Sequence, residues 1–232
     1  MLAAITPFLL FSAFLLLLLV TLSTPIIHSI FLFKITAHAS SSILDSSANG
    51  KVRFGVWGYC VSNLQAKVVG ISENTDAFCS PKKLGYTFDD RLMSALGIDH
   101  ISNLISKALT AALVLHPIAC ALTFVALFFS LFMLHRSRTG GVDAGSRVAS
   151  LLTFFSAFLA ALITTVVFLI DVILVAVVRH RVHKDSDGVL TLSWGNAVWM
   201  ALGATVALWL SLLGSCAGIF AIRRQRKAAG TY

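Results

Sequence analysis

Four groups of side chains in this sequence have the types and spacing to do chemistry or to assemble something. Cys60 and Cys79 lie in a polar stretch, whereas Cys120 and Cys216 fall inside apolar runs. In an oxidising compartment the first two are read as a disulfide. Closing a loop of that length contributes about 3 kcal/mol on the chain-entropy estimate. Metal ligation would need more Cys or His at short spacing, and the stretch offers only His38 and His100. Cys120 and Cys216 read as apolar fillers. The second group is His116 and Asp171, each inside an apolar run. A carboxyl within a membrane costs about 2.5–3.5 kcal/mol on insertion scales, so Asp171 is expected to face other helices and find a partner. At 1.5 Å per residue His116 lies roughly 12 Å below the outer end of its run and Asp171 roughly 10 Å below the end of its own. The depths match, and the two are read as an intramembrane polar pair. Contact of Asp171 with Arg179 or with Thr205 is the plainer alternative. Pro117 is expected to kink its helix and free the carbonyl of Leu113.

The third group is the basic cluster Arg223, Arg224, Arg226 and Lys227, a stop-transfer signal and a site for anionic membrane lipid at about 1 kcal/mol per basic residue. The fourth is a row of small residues, Gly203, Ala207, Ser211 and Ser215, with Gly214 and Gly218 beside it. Such rows let helices approach closely. Packing within the chain is the favoured use, and a homo-oligomer or partner-docking face is the alternative.

The familiar catalytic patterns do not occur: the sequence has no Gly-rich phosphate loop, no Cys-X-X-Cys and no His-Glu-X-X-His. Six acids in the polar stretch (Asp45, Glu73, Asp76, Asp89, Asp90 and Asp99) are spaced as a solvated surface. The reading is a protein that is not an enzyme, with no cofactor and no metal. One acid and one His are thin support for a transport path, which several intramembrane polar groups would normally line.

These groups need elements to hold them, and the composition says which. Of the 232 residues 57% are hydrophobic and only 12% charged, with a mean hydropathy of +0.88. A soluble domain of this length could not hide that surface, and disorder requires the opposite balance. An integral membrane protein remains. Its net charge of +8 then reports membrane anchoring and anionic lipid rather than nucleic acid. Four apolar runs reach the roughly 20 residues that a spanning helix needs: 3–33, 108–134, 148–178 and 197–222. Nothing basic precedes the first, and its apolar core exceeds a signal peptide's, so it is read as a retained helix.

Arg136, Arg138 and Arg147 in one short loop, and the cluster in the tail 223–232, place both on the cytoplasmic side. Both termini are then cytoplasmic and the stretch 34–107 is extracellular. Arg179, Arg181 and Lys184 in the other short loop run against that orientation, partly offset in net charge by Asp185 and Asp187. In the extracellular lobe, Val52–Tyr59 suits a strand with alternate residues on one face. Gly55 and Gly58 within it suggest a bulge or a close backbone approach, and Trp57 and Tyr59 could form the core of the lobe. The expected fold is an all-α membrane protein, a four-helix transmembrane bundle with a small disulfide-linked, β-containing extracellular lobe, forming one domain over 1–232.

The string Gly55-Val-Trp-Gly-Tyr-Cys60, followed by Cys79-Ser and Leu84-Gly-Tyr86, resembles the extracellular signature of the fungal PalI family of pH-response regulators. That family belongs with the Sur-type, claudin-like four-span proteins. The likeness continues in Ser23-Thr-Pro-Ile-Ile27, Leu113-Val-Leu-His-Pro117 and Phe168-Leu-Ile-Asp-Val172, in order and over nearly the whole chain. It makes Gly55, Trp57, Gly58, Tyr59, Gly85 and Tyr86 the extracellular motif. The stretch between the two cysteines is longer than is usual in the family, and many relatives carry a long polar cytoplasmic tail beyond the last span. The resemblance implies a plasma-membrane accessory of fungal alkaline-pH signalling, assisting a separate seven-span pH sensor. A Sur-type structural protein of membrane domains and cell-wall organisation is the alternative. A small proton-coupled transporter built on His116 and Asp171 is the third reading.

Overall fold

The computed structural model describes residues 2–41, 46–68, 71–75, 77–81, 102–138, 144–185 and 190–229. Leu84, Gly85, Tyr86 and His100 lie outside them. Four helices, α1 (Leu2–Thr21), α2 (Ser102–Arg138), α3 (Ala144–Asp185) and α4 (Asn196–Ala229), account for most of the described chain. Three of them contain stretches long and apolar enough to cross a membrane: Leu113–His135, Leu151–His180 and Asn196–Ser215. The apolar part of α1 is shorter, Ile5–Thr21. The chain forms two compact units, one of Met1–Leu18, Pro117–Val166 and Ala201–Tyr232, the other of Leu19–His116 and Val167–Met200.

The first unit is helical and packs small residues inward. Leu10, Ala13 and Leu17 of α1, Ala119, Cys120 and Ala126 of α2, Ala157, Ala160 and Ala161 of α3, and Ala204, Ala207 and Leu208 of α4 form one buried cluster. Large apolar side chains point outward: Phe8, Phe128 and Phe155 are 67%, 59% and 65% exposed. In water this arrangement would be costly, but in lipid it is favourable, because tails solvate the aromatics while small residues let backbones close up. Hydroxyls inside the unit bond to their own helix. Thr123 donates to the carbonyl of Ala119, Thr164 to that of Ala160 and Thr205 to that of Ala201, so no buried hydroxyl among these is stranded. The Cβ that Gly203 lacks would lie 3.3 Å from Cδ1 of Leu16, and that of Gly214 would lie 3.4 Å from the Thr6 hydroxyl. The row of small residues on α4 therefore faces α1.

The second unit is built on an antiparallel sheet of β1 (Phe33–Ser41), β2 (Ser46–Phe54), β3 (Tyr59–Val68), β4 (Ile71–Thr75), β5 (Phe78–Cys79) and β6 (Leu190–Trp194). The order is β4-β3-β2-β1-β6, with β5 pairing β3 beside β4. Its core holds Phe33, Phe54, Val56, Tyr59 and Val61, with Leu113, Val175, Ala197 and Val198 from the helices. Phe33 and Phe54, opposite each other in the β1–β2 register, stack with ring centroids 4.6 Å apart.

Three expectations are corrected here. The first apolar run does not stay helical to residue 33: α1 ends at Thr21, where Ser23, Thr24 and Pro25 favour a turn, and Pro25 biases Thr24 before it away from the helical region. Val52–Tyr59 is not one strand, because Gly55–Gly58 is a turn linking β2 to β3. The sheet is not drawn from 34–107 alone, because Leu190–Trp194 of the supposed short connection forms its edge.

Candidate functional site

Two places in the sheet-bearing unit bring the candidate residues together. At the first, two segments some thirty positions apart in sequence become one structure. The backbone N–H of Val56 donates to the Ser23 hydroxyl over 2.9 Å. The N–H of Trp57 donates to the carbonyl of Thr24, and its indole N–H donates to the carbonyl of Thr21. The Thr24 hydroxyl and amide both donate to the carbonyl of Ile30, at 2.8 and 2.9 Å, closing the turn that contains the cis Thr24–Pro25 bond. A Cβ on Gly55 would overlap the backbone of Thr24, so this contact admits glycine alone. On the other side the N–H of Tyr59 donates to the Ser80 hydroxyl over 3.0 Å, and Ser80 N–H donates to the Tyr59 carbonyl over 2.9 Å. Gly58 makes room for that hydroxyl.

Cys60 and Cys79 are direct partners in the β3–β5 ladder and are joined by a disulfide. Cys60 is buried and Cys79 exposed. His28, from the far end of the first apolar run, lies beside them, with Nε2 3.6 Å from Sγ of Cys79. The three residues could together reach a metal ion, but a thiol held in a disulfide is not a thiolate ligand. The guanidinium of Arg53 donates to the carbonyl of His28 and lies over the ring of Phe31, 5.8 Å from its centroid. Asn196, at the start of α4, accepts from the N–H of Phe31 and donates to the carbonyl of Ser29. His28 and Asn196 were missed because their partners come from segments remote in sequence.

The second place is the polar pair. Nε2 of His116 lies 3.3 Å from Oδ2 of Asp171, and the side chains are 0% and 4% exposed. The approach is that of an ion pair, without the angles of a well-aligned hydrogen bond. Leu113 and Val175, one turn away on the two helices, belong to the apolar core. Of the plainer alternatives, the Thr205 hydroxyl is given to Ala201 and Arg179 is exposed. The helix α4 runs through Arg223, Arg224, Arg226 and Lys227, as far as Ala229.

Apolar spans and a disulfide-linked sheet define a multi-pass membrane protein. The sequence model of the SUR7/PalI family matches residues 3–211, and the chain belongs to that family. It is 30% identical over 212 residues to the pH-response regulator protein palI/prr-5 of Neurospora crassa, covering 90% of this chain and 24% of that protein. It is 31% identical over 213 residues to the pH-response regulator protein palI/RIM9 of Pyricularia oryzae, covering 90% of this chain and 22% of that one. The chain thus spans less than a quarter of the length of these curated relatives.

Proposed function

We propose that this protein is a non-catalytic plasma-membrane accessory of an ambient, alkaline pH response, which assists the localisation or stability of a separate seven-span pH sensor. The observation that carries the reading is the likeness to two pH-response regulators across 90% of the chain. In this reading α1 is a fourth span and both termini are cytoplasmic. Support for the span is its 20-residue length, enough for about 30 Å of hydrocarbon, and its contribution to the same buried cluster as the other three helices. That β1, which precedes α2, and β6, between α3 and α4, share one sheet supports a common side for the two connections, and the basic residues Arg136, Arg138, Arg223, Arg224, Arg226 and Lys227 support the cytoplasmic side for the other ends. The basic cluster from Arg223 to Lys227 then meets anionic lipid on the opposite side.

Deleting the gene tests the reading directly. Growth is expected to fail selectively at alkaline pH, with the sensor lost from the cell surface, and to return on re-expression. Cell-wall and membrane-domain defects of equal size at every pH would instead favour a Sur-type structural protein, the second reading, which the joint SUR7/PalI family keeps open. Protease should cut a tag placed near Asn74 and spare one after Tyr232 in intact cells; the reverse pattern would overturn the orientation.

A further inference from the structure

The basic residues after the apolar part of α3 run against the orientation proposed above, and nothing described so far uses them. A cleft of about 470 Å³ lies beside them, lined by Ala176, Arg179, His180 and His183 of α3 and by Trp194 of β6. Arg179 and His183 are four apart and His180 and His183 three apart, so the three share one helix face, and all are exposed. The span of α3 ends at His180, which sets the cleft at the edge of the apolar segment. The surrounding sequence, Arg179-His-Arg-Val-His-Lys184, carries no acid until Asp185.

This chemistry selects its ligand. A guanidinium fork matches the oxygens of a phosphate in a bidentate way. An imidazole donates an N–H even when neutral. Tryptophan favours the membrane–water boundary, where one edge is wet and one apolar. A metal cation is disfavoured by the guanidinium next to the two imidazoles. We propose that this cleft binds the phosphate diester of an anionic membrane-lipid headgroup, with Arg179, His180 and His183 holding the phosphate and Trp194 and Ala176 forming the apolar wall. The position at the end of a span assigns the phosphate to a lipid rather than to a soluble anion. Arg179 then serves lipid capture and need not report orientation.

The test uses the full-length, delipidated protein in detergent, with native mass spectrometry of added dioleoylphosphatidylglycerol. Arg179→Gln/His180→Gln/His183→Gln is expected to weaken retention about tenfold, a change equal to about 1.4 kcal/mol. Lys51→Gln, at an exposed basic residue of β2 outside both basic clusters, is expected to leave retention unchanged. Recovery of the Cys60–Cys79 peptide checks the fold of each variant, and Arg179→Gln alone gives the same reading at a single exposed position. Equal retention by the parent and the variants would overturn the proposal. So would equal binding of dioleoylglycerol, which lacks the phosphate, or displacement of the lipid by inorganic phosphate at matching concentration, which would make the ligand a soluble anion.

Discussion

The two units of this protein bury opposite kinds of side chain. The helical unit hides alanines and turns its phenylalanines outward. The sheet-bearing unit hides Phe33, Phe54 and Tyr59 and ties its turns with backbone and hydroxyl hydrogen bonds. The difference follows from the solvent each kind of surface suits. Lipid offers no hydrophobic drive between helices, so close contact must come from small size and van der Waals packing. Water rewards burial of large apolar groups, at about 25 cal/mol per Å². The same substitution is therefore expected to have opposite consequences in the two units.

The sharpest break of this contrast is aromatic truncation. Phe54→Ala is expected to cost about 3–5 kcal/mol, whereas Phe155→Ala, on an exposed face, is expected to stay within about 0.5 kcal/mol. Reversible unfolding in mixed micelles measures both, and equal losses would erase the distinction. Next comes the disulfide. Cys60→Ser is expected to remove about 3 kcal/mol, seen as poor maturation and loss of the cross-linked peptide in non-reducing mass mapping. Enlarging a small residue probes the helical unit: Ala160→Leu is expected to cost about 1–3 kcal/mol through overpacking, while Leu162→Ala on the exposed side changes little. The smallest effect belongs to the polar pair. Asp171→Ala and His116→Ala each leave a buried polar group behind, and the double change to Leu is expected to be milder than their sum. Interhelical couplings of this type average about 0.6 kcal/mol, so a double-mutant cycle on surface level or stability must resolve that. Strict additivity would mean that the two residues act separately.

Much of this arrangement could be read from the sequence, and the exceptions have a common cause. His116 and Asp171 were paired because a helix rises by a fixed amount per residue, which turns sequence position into depth. Cys60 and Cys79 were paired because they alone among the four cysteines lie outside apolar runs. The end of α1 was misjudged because Ile26, Ile27, Ile30, Phe31 and Leu32 are as apolar as a span, although they serve a turn and a β-sheet core. Gly55 and Gly58 signalled an irregularity, but whether it was a bulge or a turn depended on Thr24 and Ser80, which no local pattern connects to them. The edge strand Leu190–Trp194 pairs with residues far earlier in the chain, and pairing at such range leaves no periodicity to detect. Of the α3 cleft only Arg179 stood out in the sequence, as a charge at odds with topology; His180 and His183 gave no such signal, and Trp194 joins them through that same long-range pairing.

That edge strand also sets a timetable for synthesis. Thr191 bonds to Thr36 across 155 residues, so β1 and β2 leave the ribosome long before β6 does. During that interval β1 presents an open row of donors and acceptors, the kind of edge on which foreign strands add. β1 gains its second neighbour only after α2 and α3 have been made and Leu190–Trp194 has been delivered to the same side. A nascent chain halted just beyond α3 is therefore complete in three of its helices, yet β1 still lacks the strand that covers its outer edge.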